Sequence, residues 1–197
     1  MKLIAITSPS FIEGEASFIP RLLDWGIDLI HLRKPDATIE ACEQLIKNIP
    51  PSCYDRIVMH DFFELQAAYG LYGIHLNRRN PSVPDGFSGS LSRSCHSWEE
   101  VKGAQEMCDY VFLSPIFDSL SKQGYRSAFS PEELEKAARN GLIHKKIVAL
   151  GGICAANLPQ VRGYGFGGAA LLGDLWSRAG AANWEGYVRH LKALAQE

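Results

Sequence analysis

Short apolar runs recur along this chain with helical segments between them, and that rhythm restricts the fold more than any single motif. The runs lie at residues 3–6, 27–32, 56–59, 73–76, 90–93, 109–114, 147–150 and 168–172, rich in Leu, Ile, Val and aromatic residues. The run at 90–93 is the weakest, because serines alternate in it. Helical spacing appears at 17–25, 36–48, 61–69, near 155–161 and at 184–194. Ser97 with Glu100, and Ser130 with Pro131 and Glu133, open two more helices with capping-box spacing. Residues 81–89, rich in Pro, Ser and Gly, read as a loop. Strands alternating with helices demand a parallel sheet. With about 25 residues per repeat, eight of them predict a closed (β/α)8 barrel occupying residues 1–197 as one domain. An open doubly wound sheet is the alternative.

Composition narrows the function. The chain of 197 residues is 46% hydrophobic and 21% charged, the balance of a globular domain with a full core. A net charge of −2 supplies no broad basic field for nucleic acid or an anionic membrane. No run approaches the roughly 18 apolar residues of a membrane span. The opening MKLIAITSPSF lacks a signal-peptide pattern and reads as the first strand. The five cysteines, Cys42, Cys53, Cys95, Cys108 and Cys154, form no CxxC pair and read as reduced thiols of a cytoplasmic protein. Cys95, beside Ser94 and His96, reads as a buried small hydrophobe rather than a nucleophile.

In a barrel, chemistry gathers in the loops that follow the strands. Those positions hold His31 and Arg33; His60 and Asp61; Asn77, Arg78 and Asn80; Ser94 and His96; Ser119, Ser121 and Lys122; Gly151 and Gly152; and Gly173. Cations, hydroxyls and glycines dominate, with one carboxylate, Asp61. The set suits a small phosphorylated substrate, with a divalent metal on Asp61 as a further reading. Asp61 as a helix N-cap is the plainer alternative, and His75, inside a strand, reads as structural. Glycines after the seventh and eighth strands occupy the usual place of a barrel phosphate cradle.

The ordered set HLR at 31–33, GIHL at 73–76, SRSCHS at 92–97, DYVFLSPIFDSLSK at 109–122 and ALGGICAAN at 149–157 resembles the thiamine phosphate synthase and TenI family. The resemblance implies a (β/α)8 barrel. It also implies a transferase that joins hydroxymethylpyrimidine diphosphate to thiazole phosphate and releases pyrophosphate, with Mg2+ present. By position, Arg33, His60, Asp61, Ser94 and Lys122 would surround the pyrophosphate. Ser119 and Ser121, with backbone amides at Gly152, Leu172 and Gly173, would hold the thiazole phosphate. His31 takes the place of a pyrimidine-contacting glutamine, and Asp61 and Asn80 take the places of two metal carboxylates. Several positions depart from the pattern. Pro35 stands where a second cation is usual, with Lys34 beside it on the opposite side of an extended chain. His60 replaces an asparagine, Asn80 an aspartate, and Gly173–Asp174 a serine and a small residue. Pro115 matches the synthases, whereas the thiazole tautomerases have a histidine there. A TenI-like isomerase and a catalytically weak phosphate-binding barrel therefore stand as alternatives, and homo-oligomerisation is left open.

Overall fold

The computed structural model describes residues 1–118 and 127–197. Its eight strands are β1 (Lys2–Ile6), β2 (Leu29–Leu32), β3 (Ile57–Met59), β4 (Gly73–Leu76), β5 (Ser90–Cys95), β6 (Tyr110–Leu113), β7 (Ile147–Leu150) and β8 (Gly168–Leu171). They pair in parallel in chain order and close, β1 meeting β8 with Lys2 opposite Gly168 and Ala5 opposite Leu171. The expected (β/α)8 barrel is therefore the fold, and the open sheet is excluded. Around it run α1 (Glu15–Trp25), α2 (Ile39–Lys47), α3 (Glu64–Tyr69), α4 (Trp98–Ala104), α5 (Pro131–Arg139), α6 (Leu158–Gly163), α7 (Gly173–Trp176) and α8 (Trp184–Gln196).

Strand periodicity of two divides the apolar residues into two cores. Leu3, Ala5, Ile30, Leu32, Ile57, Met59, Ile74, Leu76, Val111 and Leu113 face outward and pack beneath the helices. Ile4, Ile6, Leu29, Tyr110, Phe112, Val148 and Ala170 fill the interior. The same alternation sends His31, His75 and Ser92 inward, each fully buried.

Several local expectations change. The 90–93 run, weak by sequence, becomes the six-residue β5. Its alternating serines are tolerated because each finds a partner: Ser90 donates to Asp109, while Ser92 and Ser94 pair with His75. The helix expected from residue 61 begins at Glu64, because Phe62 adopts a φ of 53° and turns the chain first. Asp61 is thereby left at the strand end and is not an N-cap. The helix near 155 starts at Leu158, since Asn157 folds back to accept from the Cys154 N–H and donate to the Gly152 carbonyl. The short α7, immediately after β8, was not anticipated. The Ser130 capping box forms as read. At the other site Ser97 accepts from the Glu100 N–H, but the Glu100 carboxylate takes the His96 N–H.

Lys34 points away from the barrel interior. Its ammonium donates to both Glu15 oxygens at 2.7 and 2.6 Å and to the Ser8 and Ser10 carbonyls. Both side chains are essentially inaccessible, so the pair pins α1 to the β2 end. Removing one partner from a buried pair strands the other charge, at about 3–5 kcal/mol. Urea unfolding should therefore show Lys34→Met destabilised by that amount, and the Glu15→Leu, Lys34→Met double variant regaining most of it. A single variant of parental stability would mean that the pair contributes nothing to docking α1.

Candidate active site

The loops after β3 and β4 are sewn together by hydrogen bonds. Asn77 and Asn80 exchange backbone hydrogen bonds, and the Asn77 side-chain oxygen accepts from the Arg79 and Asn80 N–H groups. The Asn77 amide reaches across to the His60 carbonyl at 2.7 Å. This turn sets Arg79 and Asn80 against Asp61. Arg79 donates from Nε to Oδ1 at 3.1 Å and from Nη2 to Oδ1 and Oδ2 at 2.9 and 3.0 Å. Asn80 Nδ2 adds a bond to the same Oδ1 at 2.9 Å. Arg33, half-buried at the end of β2, is held by reciprocal bonds between its backbone and Thr7 Oγ1. Burial lowers the pKa of its guanidinium, repulsion from Arg79 lowers it further, and Asp61 and Asp36 pull the other way. Two guanidinium groups and a carboxylate thus meet at one rim of the mouth.

Beneath them lies a neutral polar floor. His60 Nε2 is 2.8 Å from His31 Nδ1, and His31 Nε2 is 2.7 Å from the Tyr110 hydroxyl. His75 is 2.8 Å from Ser92 Oγ on one side and from Ser94 Oγ on the other. The His60 and His75 rings stack at 4.2 Å. Burial holds His31 and His60 well below the ordinary histidine range, with repulsion from neighbouring cationic forms adding to it, and lowers His75 to about 3. Burial pushes the Tyr110 hydroxyl up. All four rings are therefore uncharged at neutral pH. Burial likewise pushes the Cys95 thiol up to about 12, which fits its reading as core rather than nucleophile.

The three imidazoles offer ligand atoms within 4.8 Å of one another. They nonetheless make a poor metal cage. Two of the rings are stacked on one another, both nitrogens of His31 and of His75 already have hydrogen-bond partners, and the Arg33 and Arg79 charges oppose a cation at His60.

On the opposite rim, Gly151 and Gly152 have φ of 100° and 64°. A Cβ at Gly152 would fall 2.3 Å from the Asp118 carbonyl, and one at Gly151 2.8 Å from Pro115 Cα. Both glycines are therefore required by the approach of the segment after β6. At the end of β8, Leu172 leads into α7, whose first N–H groups, from Gly173 on, have no acceptor within the helix. Asp174 accepts from the Tyr187 hydroxyl and pairs with Arg178 at 3.3 Å, and Tyr187 also takes the Ala155 N–H.

The sequence-derived positions thus divide into two groups. His31, Arg33, His60, Asp61, Asn80 and Ser94 gather on the β2–β5 side, and Gly152, Leu172 and Gly173 on the β7–β8 side. Ser119, Ser121 and Lys122 lie outside the described residues. His31, fully buried with both nitrogens engaged, supports His60 rather than facing the mouth. Arg79 was missed, although the flanking asparagines of NRRN signalled a tight turn. Tyr110 was missed because it reads as strand core.

The donor set around Asp61 does not fit a resident magnesium ion. Magnesium uses one or two carboxylates with water and phosphate oxygens, whereas both Asp61 oxygens here receive a guanidinium. Asn80 presents its NH2, fixed by acceptors at Asp61 and at the His60 carbonyl.

A closed parallel barrel whose charged and polar groups collect at the carboxyl ends of its strands has the layout of a (β/α)8 enzyme. A family model described as thiamine monophosphate synthase matches residues 3–175, and the chain belongs to that family. A crystal structure of thiamine phosphate pyrophosphorylase from Bacteroides thetaiotaomicron superposes with a TM-score of 0.89 at 42% identity, covering 100% of this chain and 98% of that one. Thiamine-phosphate synthase from Syntrophomonas wolfei is 24% identical over 203 residues, covering 98% of this chain and 95% of the relative. The enzyme of the same name from Escherichia coli O1:K1 is 28% identical over 195 residues, covering 93% and 90%. These names favour the synthase reading over the tautomerase and the ligand-binding barrel.

The histidine floor has a consequence for stability. Each ring stays neutral when folded but takes a proton near pH 6.5 when unfolded. With the folded pKa lowered, the stabilisation is fully present above about pH 6.5 and is lost as pH falls toward the folded value, about 3 for His75. Each histidine should contribute a slope of about 1.4 kcal/mol per pH unit in that window. Urea unfolding from about pH 7.5 to about pH 5 should show it, and His75→Gln should remove roughly one increment. A flat profile would contradict the neutral floor.

Proposed function

We propose that this chain is a transferase of the thiamine-phosphate synthase type. It joins hydroxymethylpyrimidine diphosphate to thiazole phosphate, giving thiamine phosphate and pyrophosphate. The C–O bond between the pyrimidine methylene and the diphosphate breaks, and its electron pair leaves on oxygen. The thiazole nitrogen lone pair forms the new C–N bond. The observation that carries this reading is the family match across residues 3–175. Arg33 at the end of the strand beside the Asp61–Arg79 pair, and Pro115 at the tautomerase histidine position, agree with it.

A dissociative step asks the protein to hold the departing pyrophosphate anion and align the nucleophile. Arg33 and Lys122 serve the diphosphate as cations, and Ser94 supplies a hydroxyl whose direction His75 sets. Asp61 orients Arg79 through its bidentate contact. His60 lies at the floor, with His31 fixing its ring. Ser119 and Ser121, with the amides at Gly152, Leu172 and Gly173, receive the thiazole phosphate. The resemblance assigns magnesium to this reaction at Asp61 and Asn80, where a cation would supply charge to the diphosphate, but the donors around Asp61 do not suit it. Five free thiols and the lack of any helix long and apolar enough to cross a membrane, among the described residues, accord with a cytoplasmic enzyme acting on small phosphorylated substrates.

Incubation with both phosphorylated halves, followed by mass spectrometry, tests this reading. Thiamine phosphate and pyrophosphate should form in equal amounts. Arg33→Ala should lower turnover by about 10²–10³-fold, the usual cost of losing one donor to a developing charge. Failure of the parent to form thiamine phosphate, with or without magnesium, would refute the assignment.

A further inference from the structure

The misfit between Asp61 and magnesium has a positive side. Oδ1 of Asp61 already receives three donors and Oδ2 one, close to the four lone-pair sites a carboxylate offers. A cation at the one open site of Oδ2 would lie against the Arg79 guanidinium, and one at Oδ1 would have to displace both Arg79 and the Asn80 bond. Asn80 could turn its carbonyl toward such a cation only by surrendering two hydrogen bonds, to Asp61 and to the His60 carbonyl. Arg79, by contrast, is ready for an anion. Its backbone is fixed by Asn77, and its Nε and Nη2 are spent on Asp61. Nη1 makes no hydrogen bond among the described residues, so one donor pair of a positioned guanidinium stays available. Its side chain is 41% exposed, against 12% for Asp61. Arg33 follows Leu32, whose carbonyl takes the His60 N–H at 3.0 Å, so it stands at the end of the strand next to Asp61 and its Arg79 partner; an anion between the two guanidiniums would offset their mutual repulsion.

We infer that Arg79 takes the place of the divalent cation, so that Arg79 and Arg33 together bind a diphosphate group directly, without magnesium. Asp61 then serves as a positioning residue that aims the guanidinium rather than as a metal ligand. The inference rests on the transferase reading only for the identity of the anion. Arginine suits the task, since its planar fork meets phosphate oxygens with charge-assisted bonds and stays protonated.

Calorimetry with inorganic pyrophosphate, in EDTA and in excess magnesium, decides the matter. The parent should bind pyrophosphate in EDTA. Arg79→Ala should weaken that binding about tenfold or more, as expected for one charge-assisted contact, and Arg79→Lys should recover it only partly. Magnesium alone should give no heat with the parent. The Arg79→Ala, Asn80→Asp double variant, with the carboxylate freed and a second one added, should acquire pyrophosphate binding that requires magnesium. A parent that binds pyrophosphate only with magnesium, or an Arg79→Ala variant of unchanged affinity, would overturn the inference. Metal-free binding without thiamine phosphate formation would instead overturn the transferase reading and leave the anion site standing.

Discussion

Closure of β1 onto β8 is the constraint on which the rest of this molecule depends. It removes both sheet edges and makes strand alternation mean inside against outside for every residue. It also brings the loops after all strands to one mouth. Arg33 and Gly152, far apart in sequence, come to one mouth only because the ring is complete. Small residues help: β8 reads GAAL, and its inward Ala170 leaves room for Ile4, Ile6 and Phe112 within the barrel.

Within that ring, charge is stratified. The interior admits polar side chains only in neutral, hydrogen-bonded form, which is why His31, His60 and His75 stay unprotonated among Tyr110, Ser92 and Ser94. Full charges appear one layer higher, where Arg79 and Asp61 reach partial solvent. The exception, Lys34 with Glu15, lies outside the barrel and is satisfied by two carbonyls besides the ion pair. A neutral floor under a cationic rim favours an anionic group held at the top with a neutral ring beneath it.

Much of this organisation was legible in the sequence, because strand runs and caps are local signals. All eight strands were placed within about three residues. The misreadings have common physical roots. The serine alternation of β5 looks unlike a strand until His75 is known to face it, and partners across a sheet are not visible from one segment. The late start of α3 turns on the positive φ of Phe62, a conformation that its residue type does not announce. Position along the strand ends pointed to Arg33, Asp61 and Ser94, which the fold brings to the β2–β5 side of the mouth. It did not point to Arg79, whose placement against Asp61 arises from a turn built by Asn77 two residues earlier. Nor could it tell that His31 would be enclosed, since that depends on Tyr110 arriving from β6.

The most direct test of this account is a crystal structure grown with inorganic pyrophosphate and manganese, recorded at the manganese absorption edge. The account predicts a diphosphate contacted by the Arg33 and Arg79 guanidiniums, the Asp61–Arg79 pair intact at its present spacing of 2.9 Å, and no anomalous peak at Asp61. A manganese peak on Asp61 with the Asn80 oxygen turned toward it and Arg79 swung away would contradict it.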